Sequence, residues 1–434
     1  MEENDIISKL EKPVKRSCDI DSSEYEKYDV KRGLRNSDGT GVLVGLTNIG
    51  DVVGYKKEEG KVIPMPGKLY YRGIDLEDIT AGFQNEGRHG FDETVFLLLA
   101  GYLPTKAELE EYTAYMASLR ALPDDFVKDM ILSMKGKDVL NILARSVLGL
   151  YILDDKPDDI TLSNMIRQSL NLIAKFPTIV AYSYQALRHL YKGKTLSIRH
   201  PDPELTTAQN FLYLIKGTNP PFTKLEADLL DLMLVLHAEH GGGNNSTFTM
   251  RVTSSSETDI YSSVTSAIGS LKGPLHGGAN VRVLEMMENI KSHVKDWTDE
   301  EEVENYLLKI LNKQANDFSG KIYGVGHAVY TISDPRALIL KSKARELAVE
   351  KGRLEEFELY SLVERITPEV FRVFKGEKTA KTLCINVDFY SGFVYSCLAI
   401  SKELYTPLFA IARVSGWCTH RIEELTFPAK RIIR

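Results

Sequence analysis

The stretch HAEHGGGNNSTFTMRVTSSSETDIYSSVTSAIGSLKGPLHGGAN, residues 237–280, sets two histidine-bearing, glycine-rich turns on either side of a Ser/Thr-rich tract. Ahead of it, Leu229-Leu230-Asp231-Leu232-Met233-Leu234-Val235-Leu236 is apolar almost all round and too long for an ordinary strand, which predicts a buried helix. That helix carries His237, Glu239 and His240 to its end, where Gly241-Gly242-Gly243 stops it. His237 and His240, three apart, then share a face. The second turn, Gly273-Pro274-Leu275-His276-Gly277-Gly278, precedes a helical pattern that starts near Ala279 and is apolar at Val281, Leu284, Met287 and Ile290. A histidine beside a helix N-terminus feels the positive end of the dipole, which disfavours imidazolium. A neutral imidazole there would donate a hydrogen bond to a developing oxyanion.

Outward from this stretch, helical patterns dominate from about residue 75. Helices are predicted over 92–101, 106–119, 138–151, 160–175, 178–191 and 208–214. Asp299 and its neighbours open another helix with Val303, Leu307, Ile310 and Leu311 on one stripe, and Ser333-Asp334-Pro335 opens one that Gly352 ends. Short β-like runs occur only at 42–47, 50–55 and 68–73, too little for a domain, and predict a small sheet on a helical body. There is no repeat and no regular strand–helix alternation, which argues against a doubly wound sheet. The fold class is mainly α with a small N-terminal β element. Residues 1–40 are polar and read as an N-terminal arm.

With 434 residues, 43% of them hydrophobic, the chain has ample material for a large core. Its net charge of −6 gives no reason to expect nucleic acid or an anionic membrane as partner, so any anion site must be a local cluster. The cysteines at 18, 384, 397 and 418 form no CxxC and no paired framework, the pattern of reduced thiols. The N-terminal MEENDIISKLEKPVKRSCDIDSSEYEKYD lacks the apolar core of a signal peptide, and no apolar run approaches membrane-spanning length. A cytoplasmic location is expected.

Two more stretches carry chemistry: Gly324-Val325-Gly326-His327-Ala328-Val329-Tyr330 running on to Asp334-Pro335-Arg336, and Asn386-Val387-Asp388-Phe389-Tyr390-Ser391-Gly392. Each residue has a plain reading: His276 and His327 as loop histidines, Asp388 as a helix N-cap, Arg336 as a solvated cation. Arg336 sits in a helix's first turn, where a cation is electrostatically misplaced unless an anion binds there too. HAEH offers only part of a metal-binding HExxH spacing, so no metal site is predicted, although a hydrolase holding metal on His237 and His240 remains a remote alternative.

Taken in this order, the four stretches resemble the citrate synthase family, from about residue 41 to the C-terminus. The resemblance implies a two-domain multi-helical fold, with a large helical domain over 41–279 and 392–434, which includes final helices predicted around 393–404 and 408–425, and a small one over 280–391. The active site would lie in the cleft between them, usually in a symmetric homodimer. It implies condensation of acetyl-CoA with oxaloacetate, with no tightly bound cofactor and with acetyl-CoA/CoA as cosubstrate. Asp388 matches the general base, His276 the histidine that stabilises the acetyl-CoA enol, and His327 the one that protonates the oxaloacetate carbonyl. His240, Arg336 and Arg413 match oxaloacetate-binding residues, and His237 one near the coenzyme's adenine. Arg434 matches an arginine supplied in trans, with Arg431 as fallback. The adenine turn corresponds to 321–326, so Lys321 and Gly324 fall on the coenzyme side. Where animal relatives have a phosphate-binding arginine this chain has Thr331, which leaves Lys378 and Lys381 as candidates or as a solvated loop. The family usually has proline before Asn-Val-Asp, and Ile385 stands there instead. A 2-methylcitrate synthase using propionyl-CoA is the near alternative, and an inactive helical scaffold a further one.

Overall fold

The computed structural model describes residues 46–58, 61–218, 222–376, 383–427 and 432–433, together with Ser23 and Lys27. Thr47–Arg434 is one compact unit and Met1–Leu46 another. The expected N-terminal arm therefore lies almost wholly outside the described residues, as do Lys378, Lys381, Arg431, Arg434 and the run at 42–45.

The sheet is a three-stranded antiparallel meander of β1 (Gly50–Glu58), β2 (Lys61–Tyr71) and β3 (Ile74–Asp75). Gly50 pairs with Tyr71 and Glu58 with Lys61, and the register shifts between Val53 and Tyr55. Two glycines let it approach the rest of the chain. A Cβ on Gly54 would stand 2.5 Å from the Val329 carbonyl oxygen, and one on Gly67 2.1 Å from that of Ser333. The sheet thus backs the loop that carries His327.

Helices follow as α1 (Leu76–Asn85), α2 (Phe91–Ala100), α3 (Lys106–Ser118), α4 (Val139–Gly149) and α5 (Leu162–Lys192). Next come α6 (Thr207–Lys216), α7 (Lys224–His237), α8 (Asn245–Ser254), α9 (Ile260–Lys272) and α10 (Ala279–His293). The last are α11 (Glu300–Leu311), α12 (Pro335–Glu350), α13 (Leu354–Lys375), α14 (Asp388–Cys397) and α15 (Tyr405–Thr426). In α15 every residue from Pro407 to Arg421 is buried. It is packed against α5, α7, α8 and α9, which is why its sequence is apolar or pairable on all sides. Asp231, the lone acid within the apolar run of α7, accepts from the Gly90 N–H at 2.6 Å and caps the start of α2.

Three expectations need correction. The helices predicted over 160–175 and 178–191 are one helix, α5, running through Pro177. An interior proline costs about 3 kcal/mol, and burying Leu172, Ile173, Phe176, Ile179 and Val180 along the same run outweighs it. The helix predicted over 393–404 instead begins at Asp388, ends at Cys397, and is followed by a 3₁₀ turn at Lys402–Leu404. Helix α7 stops at His237, so Glu239 and His240 lie beyond it and the shared-face argument fails. Its last carbonyls are claimed from outside: Tyr71 Oη donates to Val235 O at 3.0 Å and Arg413 Nε to His237 O at 2.7 Å.

Candidate active site

The end of α7 meets the middle of α15. His237 Nδ1 lies 2.8 Å from the Met233 carbonyl, while its Nε2 is buried with no partner. Its ring edge faces Phe409 with centroids 4.8 Å apart, and burial pushes it down to about 3. His240, past the helix end, has Nε2 buried and unpartnered, and burial with the Arg336 charge holds it well below its usual range. Arg413 is fully buried, lies 4.7 Å over the Phe409 ring, and leaves both terminal nitrogens without a partner. Burial brings it down to about 10. Buried guanidinium donors are seldom left unpaired, and these two have the geometry to fork onto a carboxylate.

His276 sits in the turn before α10. Its Nε2 is 2.9 Å from Ser246 Oγ and 3.3 Å from the Ser246 backbone nitrogen, at the start of α8. A peptide N–H can only donate, so Nε2 accepts and the hydrogen of the neutral ring is on Nδ1. Burial, reinforced by Arg413, holds the ring down to about 4. The expected neutral donor is present, and burial is the first cause.

His327 is fixed in the opposite tautomer. Its Nδ1 accepts from the Val329 and Tyr330 N–H groups, both at 3.1 Å, which leaves the hydrogen on Nε2. The ring stacks on Tyr330 at 4.5 Å, lies edge-on to His240 at 5.1 Å, and is held by burial down to about 4. Arg336, on the first turn of α12, is buried and gripped by the N-cap Asp334: Nε to Oδ1 at 3.1 Å and a terminal nitrogen to Oδ2 at 2.8 Å. Its apparent electrostatic misplacement is answered inside the chain, by Asp334.

Asp388 is the first residue of α14, and it does not cap the helix. Asn386 does so, its Oδ1 accepting from the Asp388 N–H at 3.0 Å. The Asp388 carboxylate is thereby left for chemistry, and burial raises it to about 6 against the pull of Arg336 and Arg413. This loop is tied to the His327 loop by an antiparallel bridge between Val325 and Ile385. Gly326 N donates to Cys384 O, Asn386 N to Gly324 O, and Asn386 Nδ2 to Gly326 O, at 2.8, 2.9 and 3.0 Å. Gly324 has φ +78° and packs so closely on Val283 and Phe389 that a Cβ would meet both within 3.0 Å.

The structure therefore gathers His237, His276 and Arg413 around Phe409 and His240 and His327 around Tyr330, with Arg336 and Asp388 near enough for their charges to act on Arg413. Lys321 is exposed on the approach to Gly324. Sequence reasoning missed four supporting groups: Ser246, Asp334 as the partner of Arg336, and the buried pair Glu239–His420, joined at 2.9 Å. Asp334, two residues from Arg336, was within reach of a local reading; the others come from remote segments. Among the described residues no three His, Cys, Asp or Glu side chains are placed to hold a metal ion, and no helix is long and apolar enough to cross a membrane.

A family model described as "Citrate synthase, C-terminal domain" matches residues 37–434. The citrate synthase of Deinococcus radiodurans is 40% identical over 358 residues, which cover 82% of this chain and 86% of that one. The crystal structure of citrate synthase from Pyrobaculum aerophilum superposes with a TM-score of 0.73 at 32% identity, covering 91% of this chain and 89% of that one. The citrate synthase of Thermoplasma acidophilum, in ternary complex with carboxymethyl coenzyme A and oxaloacetate, does so with a TM-score of 0.73 at 27% identity, covering 91% of this chain and 92% of that one. The chain belongs to the citrate synthase family and is an enzyme of the acyltransferase type.

Proposed function

We propose that the protein condenses acetyl-CoA with oxaloacetate and water, giving citrate and free CoA. Asp388 takes a proton from the thioester's methyl group, and its raised basicity brings it nearer to working pH than an ordinary carboxylate. Nδ1–H of His276 donates to the thioester oxygen as the enol forms. The enol carbon then attacks the keto carbon of oxaloacetate as the enol proton returns to Nδ1 of His276; the keto oxygen receives the Nε2 hydrogen of His327, which the proton taken by Asp388 restores through water. Water cleaves the resulting thioester, and the CoA sulfur leaves with a proton. Arg413, Arg336 and His240 hold the oxaloacetate carboxylates, with Arg434 of a second copy as the trans arginine. Lys321 and Gly324 lie on the coenzyme side, with His237, Lys378 and Lys381 as further coenzyme contacts.

The observation that carries this reading is the pair of neutral imidazoles with opposite tautomers, each fixed by backbone N–H donors. One electrophile for each of two carbonyls is what joining a thioester to a ketone requires. The large and small domains, 41–279 with 392–434 and 280–391, would close over oxaloacetate and exclude water. In a homodimer, exposed aliphatic side chains such as Leu148, Ile152, Leu153, Leu162 and Ile166 are candidates for burial. Release of CoA thiol with oxaloacetate plus acetyl-CoA, compared with propionyl-CoA and with an Asp388→Ala control, tests the reaction. Faster turnover of propionyl-CoA would replace the reading with 2-methylcitrate synthesis, and no release with either would end it.

A further inference from the structure

Beside the substrate-facing groups lies a carboxylate that the chemistry above does not use. Glu239 is fully buried just past the end of α7, between Ala238 and His240. Its Oε1 accepts from the Gly241 N–H at 2.6 Å and from His420 Nε2 at 2.9 Å, so that nitrogen carries the hydrogen. Its backbone is clamped as well, Tyr71 Oη donating to Glu239 O at 3.1 Å. The other oxygen, Oε2, is buried without a partner. Two glycines make room for the carboxylate. A Cβ on Gly50 would come within 2.9 Å of Glu239 Cγ, and one on Gly416 within 2.4 Å of Oε2. Gly416 is one turn beyond Arg413 on α15, and that same Cβ would stand 3.5 Å from Arg413 Cδ.

The carboxylate thus lies across Gly416 from the stem of Arg413 while its hydrogen bonds go to His420 and Gly241. Arg413 spends Nε on His237 O and keeps both terminal nitrogens open. A fully buried guanidinium needs negative charge nearby to remain a cation, yet a carboxylate forked onto it would close the donors that a substrate requires. We propose that Glu239 is a positioning residue whose charge, anchored by His420, balances Arg413 while leaving its terminal donors free for a carboxylate of oxaloacetate. The inference rests on the reading of Arg413 as a substrate-binding cation.

The charged and titratable groups around Arg413 fit this division. Glu239 exerts the strongest charge effect on it, ahead of Tyr71 on β2, Arg336 on α12 and Asp388 on α14. Of these, Arg336 repels it, and His237 and His276 beside it are held neutral by burial. The His420 contact, Arg413 and the Gly241 N–H outweigh the effect of burial and hold Glu239 below the usual carboxylate range.

The test is Glu239→Gln, which keeps shape and acceptor but removes the charge. The expected result is a KM for oxaloacetate raised about tenfold, with kcat and the KM for acetyl-CoA changed less than about threefold. Because removing a negative neighbour lowers the pKa of a cation, the rise of KM at alkaline pH should begin at lower pH in the variant. In an Arg413→Gln background the same change should raise KM no further. His420→Gln, which still offers an N–H to Glu239, should stay near wild type. An unchanged oxaloacetate KM and pH profile in Glu239→Gln would overturn the proposal, as would an undiminished effect in the Arg413→Gln background. If Arg413→Gln alone leaves oxaloacetate binding intact, the reading of Arg413 fails, which is a separate result. Should Glu239→Gln not fold, a His420→Phe variant that also leaves the KM unchanged would sink the idea.

Discussion

The two halves of the site hold their charged and polar groups in opposite ways. In the loop half each group is already answered from within: the His327 ring by two backbone N–H groups, Arg336 by the Asp334 fork, the Asp388 backbone by Asn386. In the helix half, at the end of α7 and along α15, the same inventory is left open. His237 Nε2, His240 Nε2 and both terminal nitrogens of Arg413 are buried without partners. Unmet buried polar groups are costly, and a fold keeps them where a ligand will meet them. On the proposed function, the closed half orients its groups and the open half takes the anion. A substitution in the closed half should therefore damage rate or stability, and one in the open half affinity.

The largest expected effect is in the closed half. Asp388→Asn should lower kcat about a thousandfold with the oxaloacetate KM nearly unchanged, as steady-state kinetics would reveal. In the unsubstituted enzyme, kcat/KM for acetyl-CoA should fall as pH drops through about 6, where the Asp388 base becomes protonated. The two histidines, held down to about 4, stay neutral across that range and so do not compete for the assignment. An acid limb that survives in Asp388→Asn would break the link between burial and basicity.

Asp334→Asn comes next. The amide still caps α12, but the buried Arg336 loses its counter-charge. Stability should fall by about 3 kcal/mol, read from the denaturant midpoint at unchanged slope. Arg413→Gln, the matching cut in the open half, should raise the oxaloacetate KM about a hundredfold, with a smaller stability loss than Asp334→Asn because the buried Glu239 keeps its hydrogen bonds to His420 and Gly241. If the two arginine regions gave the same ratio of stability loss to affinity loss, the contrast between the halves would be wrong.

Much of this was legible in the sequence, and the reasons divide by distance along the chain. The glycine turns, the histidines and Asn-Val-Asp are local patterns, and helix punctuation placed most elements within a few residues. What escaped reading is what backbone groups and distant segments supply. The N–H donors that fix both tautomers have no side-chain signature, and Glu239 meets His420 across 181 positions. The helices expected over 160–175 and 178–191 part at Pro177, and the burial that carries α5 through it belongs to tertiary packing. Glu239 and His240 were read onto a helix that Tyr71 and Arg413 end early.

The smallest effects concern the loop pair that joins His327 to Asp388. Asn386→Ala removes both the cap on the Asp388 N–H and the bond to Gly326 O, so kcat should fall about tenfold through misplacement of the base. Ile385→Pro, one residue earlier, should do far less. The bridge between Val325 and Ile385 is closed by the N–H groups of Gly326 and Asn386, and neither bond uses the N–H of Ile385. Proline removes only that donor and trims a buried side chain, so stability should shift by no more than about 1 kcal/mol and kcat by less than about twofold. The departure from the family's usual proline is then neutral for the ladder, and it is the Asn386 side chain that aims Asp388. A large kcat loss in Ile385→Pro beside a mild one in Asn386→Ala would reverse that order and place the control of the base in the backbone of residue 385.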